Sequence, residues 1–120
     1  MKKIIALILT LALAIGCAAT MTACSESADY TIGICQLMVH DSLDAATNGF
    51  VDAVTAKMTE AGKTVQFDKQ IAGEVDLCTT VVNTLVAKNV DLIMANATPA
   101  LLAAANGTAT IPVLGTSVTD

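Results

Sequence analysis

Few side chains in this 120-residue chain could make or break a bond, and their spacing narrows what they can do. The single histidine, His40, lies five positions after Cys35. A thiol and an imidazole can act as nucleophile and base. Cys35, however, ends the apolar run Thr31-Ile32-Gly33-Ile34-Cys35, where a side chain faces a core. His40 with Asp41 and Asp44 offers one imidazole and scattered carboxylates, a thin set for a metal. The G-x-G-x-x-G turn of dinucleotide sites and the phosphate-binding P-loop are both absent. No cofactor, no metal and no enzymatic activity is expected. The chain does offer neutral hydrogen-bonding groups: Gln36, His40, Ser42, Asn96, Thr98 and Ser117, with Asp41, Thr116 and Thr119 beside them. That chemistry suits holding a small zwitterionic or hydroxylated molecule.

Those residues fall at element ends. Residues 30–36 read as a buried parallel strand, because the apolar run is almost unbroken. Ser42 is expected as N-cap of a helix with Leu43, Ala46, Phe50, Val54, Met58 and Ala61 on one face, closed by Gly62. Residues 64–68 alternate and are β-branched-rich, predicting a second strand near a sheet edge. Residues 75–88 predict one helix with Cys78, Val81, Val82, Leu85 and Val86 inward, ended by Asn89. Residues 90–95 form a third strand. Thr98 as N-cap and Pro99 at the first helical position start a short helix over 100–105. Residues 111–115 give a fourth strand, and 116–120 a polar loop.

The order βαβαβαβ predicts an α/β fold, a parallel sheet of about four strands flanked by helices, order 2-1-3-4. The strand order reverses between strands 1 and 3, so a crevice opens at their C-terminal ends, between residues 36–42 and 96–99. The helix start at Thr98 and Pro99 would seat a carboxylate or another small anion.

Residues 1–23 have a basic start, Lys2 and Lys3, then an apolar run from Ile4 to Ile15, the shape of a secretory signal. That run falls short of the ~20 residues of a membrane span. Small residues precede both Cys17 and Cys24, resembling the lipobox of bacterial lipoproteins. Cys24 is favoured for lipidation because a short polar tether over 24–29 follows it. This predicts a protein anchored by lipid at the extracytoplasmic face of the cell membrane, where several acyl chains together hold firmly. Without the signal, four lysines and no arginine face eleven acidic residues. That excess argues against a nucleic-acid partner and against charge-driven binding to anionic lipid. Cys35 and Cys78 read as small buried hydrophobes. A disulfide between them stays open, because sequence does not give their separation.

The segments Ile32-Gly33-Ile34-Cys35-Gln36, His40-x-x-Leu43-Asp44-Ala45-Ala46-x-x-Gly49-Phe50, Val90-Asp91-Leu92-Ile93, Ala97-Thr98-Pro99-Ala100, Ile111-Pro112-Val113 and Val118-Thr119-Asp120 occur in order. Together they resemble the substrate-binding lipoproteins of bacterial ABC transporters, in particular the group associated with tryptophan and tyrosine uptake. The resemblance implies a type I periplasmic-binding-protein fold, whose two α/β lobes close on an amino acid before the loaded protein docks on an ABC permease. It also implies that Gln36, the loop to His40, the Ala97-Thr98-Pro99 turn and Ser117 face the ligand. Cys35 departs from the aliphatic residue usual there, and Asp41-Ser42 from a more common Pro-containing pair. The family's chain is more than twice as long, so residues 30–120 are expected to be an incomplete first lobe. A sensor or structural lipoprotein of the same fold, or a flavodoxin-like or Rossmann enzyme, are the alternative functions.

Overall fold

The apolar run after Asp29 becomes the strand on which everything else is laid. The structure, a computed structural model, describes residues 27–119. The expected signal over 1–23, with Cys17, and the expected lipidation site Cys24 lie outside the described residues. In chain order the elements are β1 (Tyr30–Gln36), α1 (Asp41–Glu60), β2 (Val65–Ile71), a 3-10 turn (Val75–Leu77), α2 (Cys78–Ala87), β3 (Leu92–Asn96), α3 (Thr98–Gly107) and β4 (Val113–Thr116). The four strands are parallel in the order β2-β1-β3-β4, as the alternation of elements requires. No helix of the described residues is long and apolar enough to cross a membrane.

Strand pleating sorts β1 and β3 onto two faces. Ile32, Ile34 and Met94 form one core face, against which Phe50, Val51 and Val54 of α1 pack together with Phe67 of β2. Phe50 and Phe67 meet edge to face at 6.3 Å and 79°, a favoured aromatic geometry. Cys35, Ile93 and Ala95 form the other face, under Cys78, Val82 and Leu85 of α2 and Ala100 and Ala104 of α3. Two glycines set the spacing on this second face. A Cβ on Gly33 would lie 2.9 Å from Leu85 Cδ2, and one on Gly107 would lie 2.5 Å from Val82 Cγ1. Their missing side chains let α2 settle onto β1 and α3 onto α2.

Some boundaries differ from the sequence reading. β2 runs three residues further, to Ile71, because its whole length pairs with β1 from Tyr30 to Gln36. The expected helix over 75–88 begins as a 3-10 turn, where Leu77 N–H bonds Glu74 O at 3.2 Å. Val75 and Leu77 are exposed there, so no core contact holds that turn in α geometry. Asn89, with φ 54°, and Gly62, with φ 69°, follow α2 and α1 in the left-handed conformation that ends helices.

Where the chain enters β1, the Asp29 carboxylate accepts hydrogen bonds from Thr64 N–H at 2.9 Å and from the Thr64 hydroxyl at 3.1 Å. Asp29 N–H returns one to Thr64 Oγ1 at 2.9 Å. These bonds from Thr64 hold the Asp29 carboxyl below its ordinary pKa. The clamp fixes the starts of β1 and β2 together.

Candidate functional site

The C-terminal ends of β1, β3 and β4 converge, and backbone bonds lace their loops in sequence. Leu37 N–H bonds Asn96 O at 3.2 Å, and Ala97 N–H bonds Thr116 O at 3.0 Å. Thr119 N–H then donates to Thr98 Oγ1 at 3.1 Å. All six residues expected at the crevice therefore lie at one end of the sheet. Their side chains divide into two groups.

Gln36 and Asn96 turn inward. Both are wholly buried, on the face that continues Ile32, Ile34 and Met94 beneath α1. The Thr47 hydroxyl donates to Gln36 Oε1 at 2.7 Å and accepts from Asn96 Nδ2 at 2.8 Å. Asn96 Nδ2 also reaches Leu43 O at 2.7 Å, and Gln36 Nε2 reaches Met38 O at 2.8 Å and Asp44 Oδ1 at 2.7 Å. This network bolts the first turns of α1 to the tips of β1 and β3. The expectation that these two amides face a crevice is corrected here to a supporting position. Asn96 Oδ1 is left buried without a hydrogen-bond partner among the described residues.

His40, Ser42, Thr98 and Ser117 stay at the surface or half-buried. His40, not Ser42, is the N-cap of α1. Ser42 N–H donates to His40 Nδ1 at 3.2 Å, and the Ser42 hydroxyl lies 2.8 Å from the same nitrogen. Nδ1 thus acts as the acceptor for the first turn of α1. Thr98 is likewise not a cap but the first residue of α3; Ala97 holds the cap position, with no side chain capping the helix. The Thr98 hydroxyl is free to tether the loop after β4 because Ala97 has taken the turn. Ala97 does so at φ 94° and ψ 155°, a region that is essentially glycine's. Such strain, of order 1–3 kcal/mol, persists where surrounding structure over-determines the backbone, as the bonds from Ala97 N–H to Thr116 O and from Leu101 N–H to Ala97 O do here. Ser117 also holds a left-handed φ of 55°.

Sequence reasoning passed over two groups of residues. Met38, Val39 and Val118 are exposed apolar side chains on the crevice loops, Val39 at 73 %. Apolar residues inside otherwise polar loops are the signal that marks them. Thr47 was also missed, although it occupies the inward face of α1 between Leu43 and Phe50, where the helical spacing calls for an apolar residue.

Cys35 is buried, and burial first, then the neighbouring Cys78, pushes its thiol up to about 12. A thiol held that far from ionisation is no nucleophile at neutral pH. Among the described residues no cluster of three or more His, Cys, Asp or Glu could hold a metal. A cleft of about 500 Å³ opens elsewhere, between α2 and α3, lined by Val75, Asp76, Asn83 and Leu102 and touching the crevice end only at Thr98 and Pro99. The loops after β1 and β4 do not line it.

A family model described as ABC transporter substrate binding protein matches residues 31–120. The chain belongs to this family. A tyrosine-binding protein of Clostridioides difficile (strain R20291) is 42 % identical over 91 residues, spanning 74 % of this chain and 26 % of that protein. The ligand-free, open structure of a substrate binding protein with adhesive properties from Clostridium difficile matches at 36 % identity and TM-score 0.69, covering 76 % of this chain and 31 % of that one. A complex with L-Trp from Streptococcus pneumonia matches at 32 % identity and TM-score 0.67, with the same coverage. The chain thus spans about a quarter to a third of the length of these relatives. The α/β fold of this substrate-binding family member is the periplasmic-binding-protein type that the resemblance implied.

Proposed function

We propose that this chain supplies the crevice-facing part of one lobe of an amino-acid-binding protein that serves an ABC import system. The carrying observation is the α3 N-terminus, with no side-chain cap, which Thr98 ties to the loop after β4 and which the sheet order sets between the loops after β1 and β4. Pro99 has no N–H, Ala100 is buried and Leu101 N–H is taken by Ala97 O, so the Thr98 N–H and the positive dipole end are what suit a ligand carboxylate. Met38, Val39 and Val118 offer apolar contact to its side chain, in keeping with relatives named for tyrosine or solved with L-Trp. Binding rather than catalysis is the role this donor set fits. Delivery to a membrane permease follows from the family, and attachment through a lipid on Cys24 at the extracytoplasmic face follows from the leader's pattern.

Calorimetric titration of the full chain with L-tryptophan, L-tyrosine and their carboxamides tests the reading. The free acids should bind about tenfold or more tightly than the amides, since charge-assisted bonds are worth about 1.5–3 kcal/mol. Thr98→Ala should weaken the acids several-fold, whereas Cys35→Ala should leave them nearly unchanged. Amides that bind as well as acids would remove the anion seat. Failure of every amino acid to bind at millimolar concentration would remove the function.

A further inference from the structure

We infer that Cys35 and Cys78 are a built disulfide site that joins the tip of β1 to the first turn of α2. The topology brings them together. β1 and β2 are parallel, so the crossover helix α2 starts at the C-terminal end of β1. Cys35 is the penultimate residue of β1, and Cys78 is the first residue of α2. Both face the same core layer, in which Leu85 of α2 already rests on Gly33. Cys35 and Cys78 are 0 % and 1 % exposed. Both are free thiols of one buried cluster, and the Cys78 Sγ–H points at Glu74 O, 3.7 Å away.

Backbone bonds already hold the two segments at fixed spacing. Ala72 N–H donates to Gln36 O at 2.9 Å and Gly73 N–H to Leu37 O at 2.7 Å, so the chain leaves β2 pinned to the tip of β1 just before Cys78. Within that frame the bond asks the two side chains of one packed cluster to turn toward each other.

The reaction is thiol–disulfide exchange with a small or protein-borne disulfide. The Cys78 thiolate attacks that disulfide, breaking its S–S bond and releasing one thiolate. The Cys35 thiolate then attacks Cys78 Sγ in the mixed disulfide, forming the Cys35–Cys78 bond and releasing the second. The two protons lost by the cysteines go to the leaving thiolates; the cysteines are oxidised and the external disulfide is reduced. Burial raises both thiols, so exchange belongs to folding, before the core closes, or to opening of the exposed turn Val75–Leu77. Once formed, the bond is shielded from reductant by the same burial.

The full chain, refolded in a buffer of oxidised and reduced glutathione, would be denatured with excess iodoacetamide and mapped by peptide mass. The expected result is a Cys35–Cys78 linked peptide two hydrogens lighter than its reduced parts. Reduction should also lower the thermal midpoint of the wild type by on the order of 10 °C, and leave Cys35→Val and Cys78→Ala unmoved. Alkylation of both residues after refolding, or linkage of either to Cys17 or Cys24 instead, would overturn the site. The peptide map is read on the wild type, so it stands even where a variant fails to fold.

Discussion

Thr47 shows how one hydroxyl can hold two strands to a helix. It donates to Gln36 and accepts from Asn96, both wholly buried, so neither amide has water to turn to. Thr47→Val keeps the volume and removes both bonds. Leaving buried amide groups unpaired should cost about 2–4 kcal/mol, whereas Thr47→Ser should cost about 1 kcal/mol, read as midpoint shifts in urea denaturation. Equal losses for the two would assign Thr47 to packing alone. The placement of Gln36 and Asn96 was legible in the sequence. Counting by twos from Ile32 and Ile34 leads to Gln36, and from Met94 to Asn96, on the face that α1 covers. Polarity at a strand end drew the reading towards the crevice; the period points inward.

At the scale of elements, β1 was readable because an uninterrupted apolar run has one outcome in a covered parallel sheet. Helix starts were less readable. Ser42 and Thr98 have the chemistry of caps, yet His40 and Ala97 occupy those positions. Histidine is outside the usual capping set, and its ring nitrogen does the same work only because ψ 137° swings it over Ser42 N–H. Ala97 is tolerated at a glycine-like φ because its N–H and C=O are both engaged, to Thr116 and Leu101. No local pattern announces either arrangement. His40→Ala should destabilise α1 by about 1 kcal/mol, and His40→Asn should recover most of it, measured by thermal unfolding. If both variants unfold at the wild-type temperature, His40 is not the cap in solution.

For the molecule as a whole, the sheet order followed from the alternation of elements, since right-handed crossovers leave few other topologies. The attachment proposed at Cys24 is tested in cells. Cys24→Ala should move the protein from the membrane fraction to the soluble one, and Cys17→Ala should not. The reverse result would transfer the anchor to Cys17, and no change in either would end the lipoprotein reading.

The Asp29–Thr64 clamp bears on how such a protein would stand. It fastens the entry to β1 at the floor of the sheet, and β1 then climbs about 20 Å before it reaches the loop that carries Met38, beside the start of α3 at Thr98. A stalk leading into Asp29 would moor the lobe by its base, with its mouth turned outward to passing solute and any membrane below.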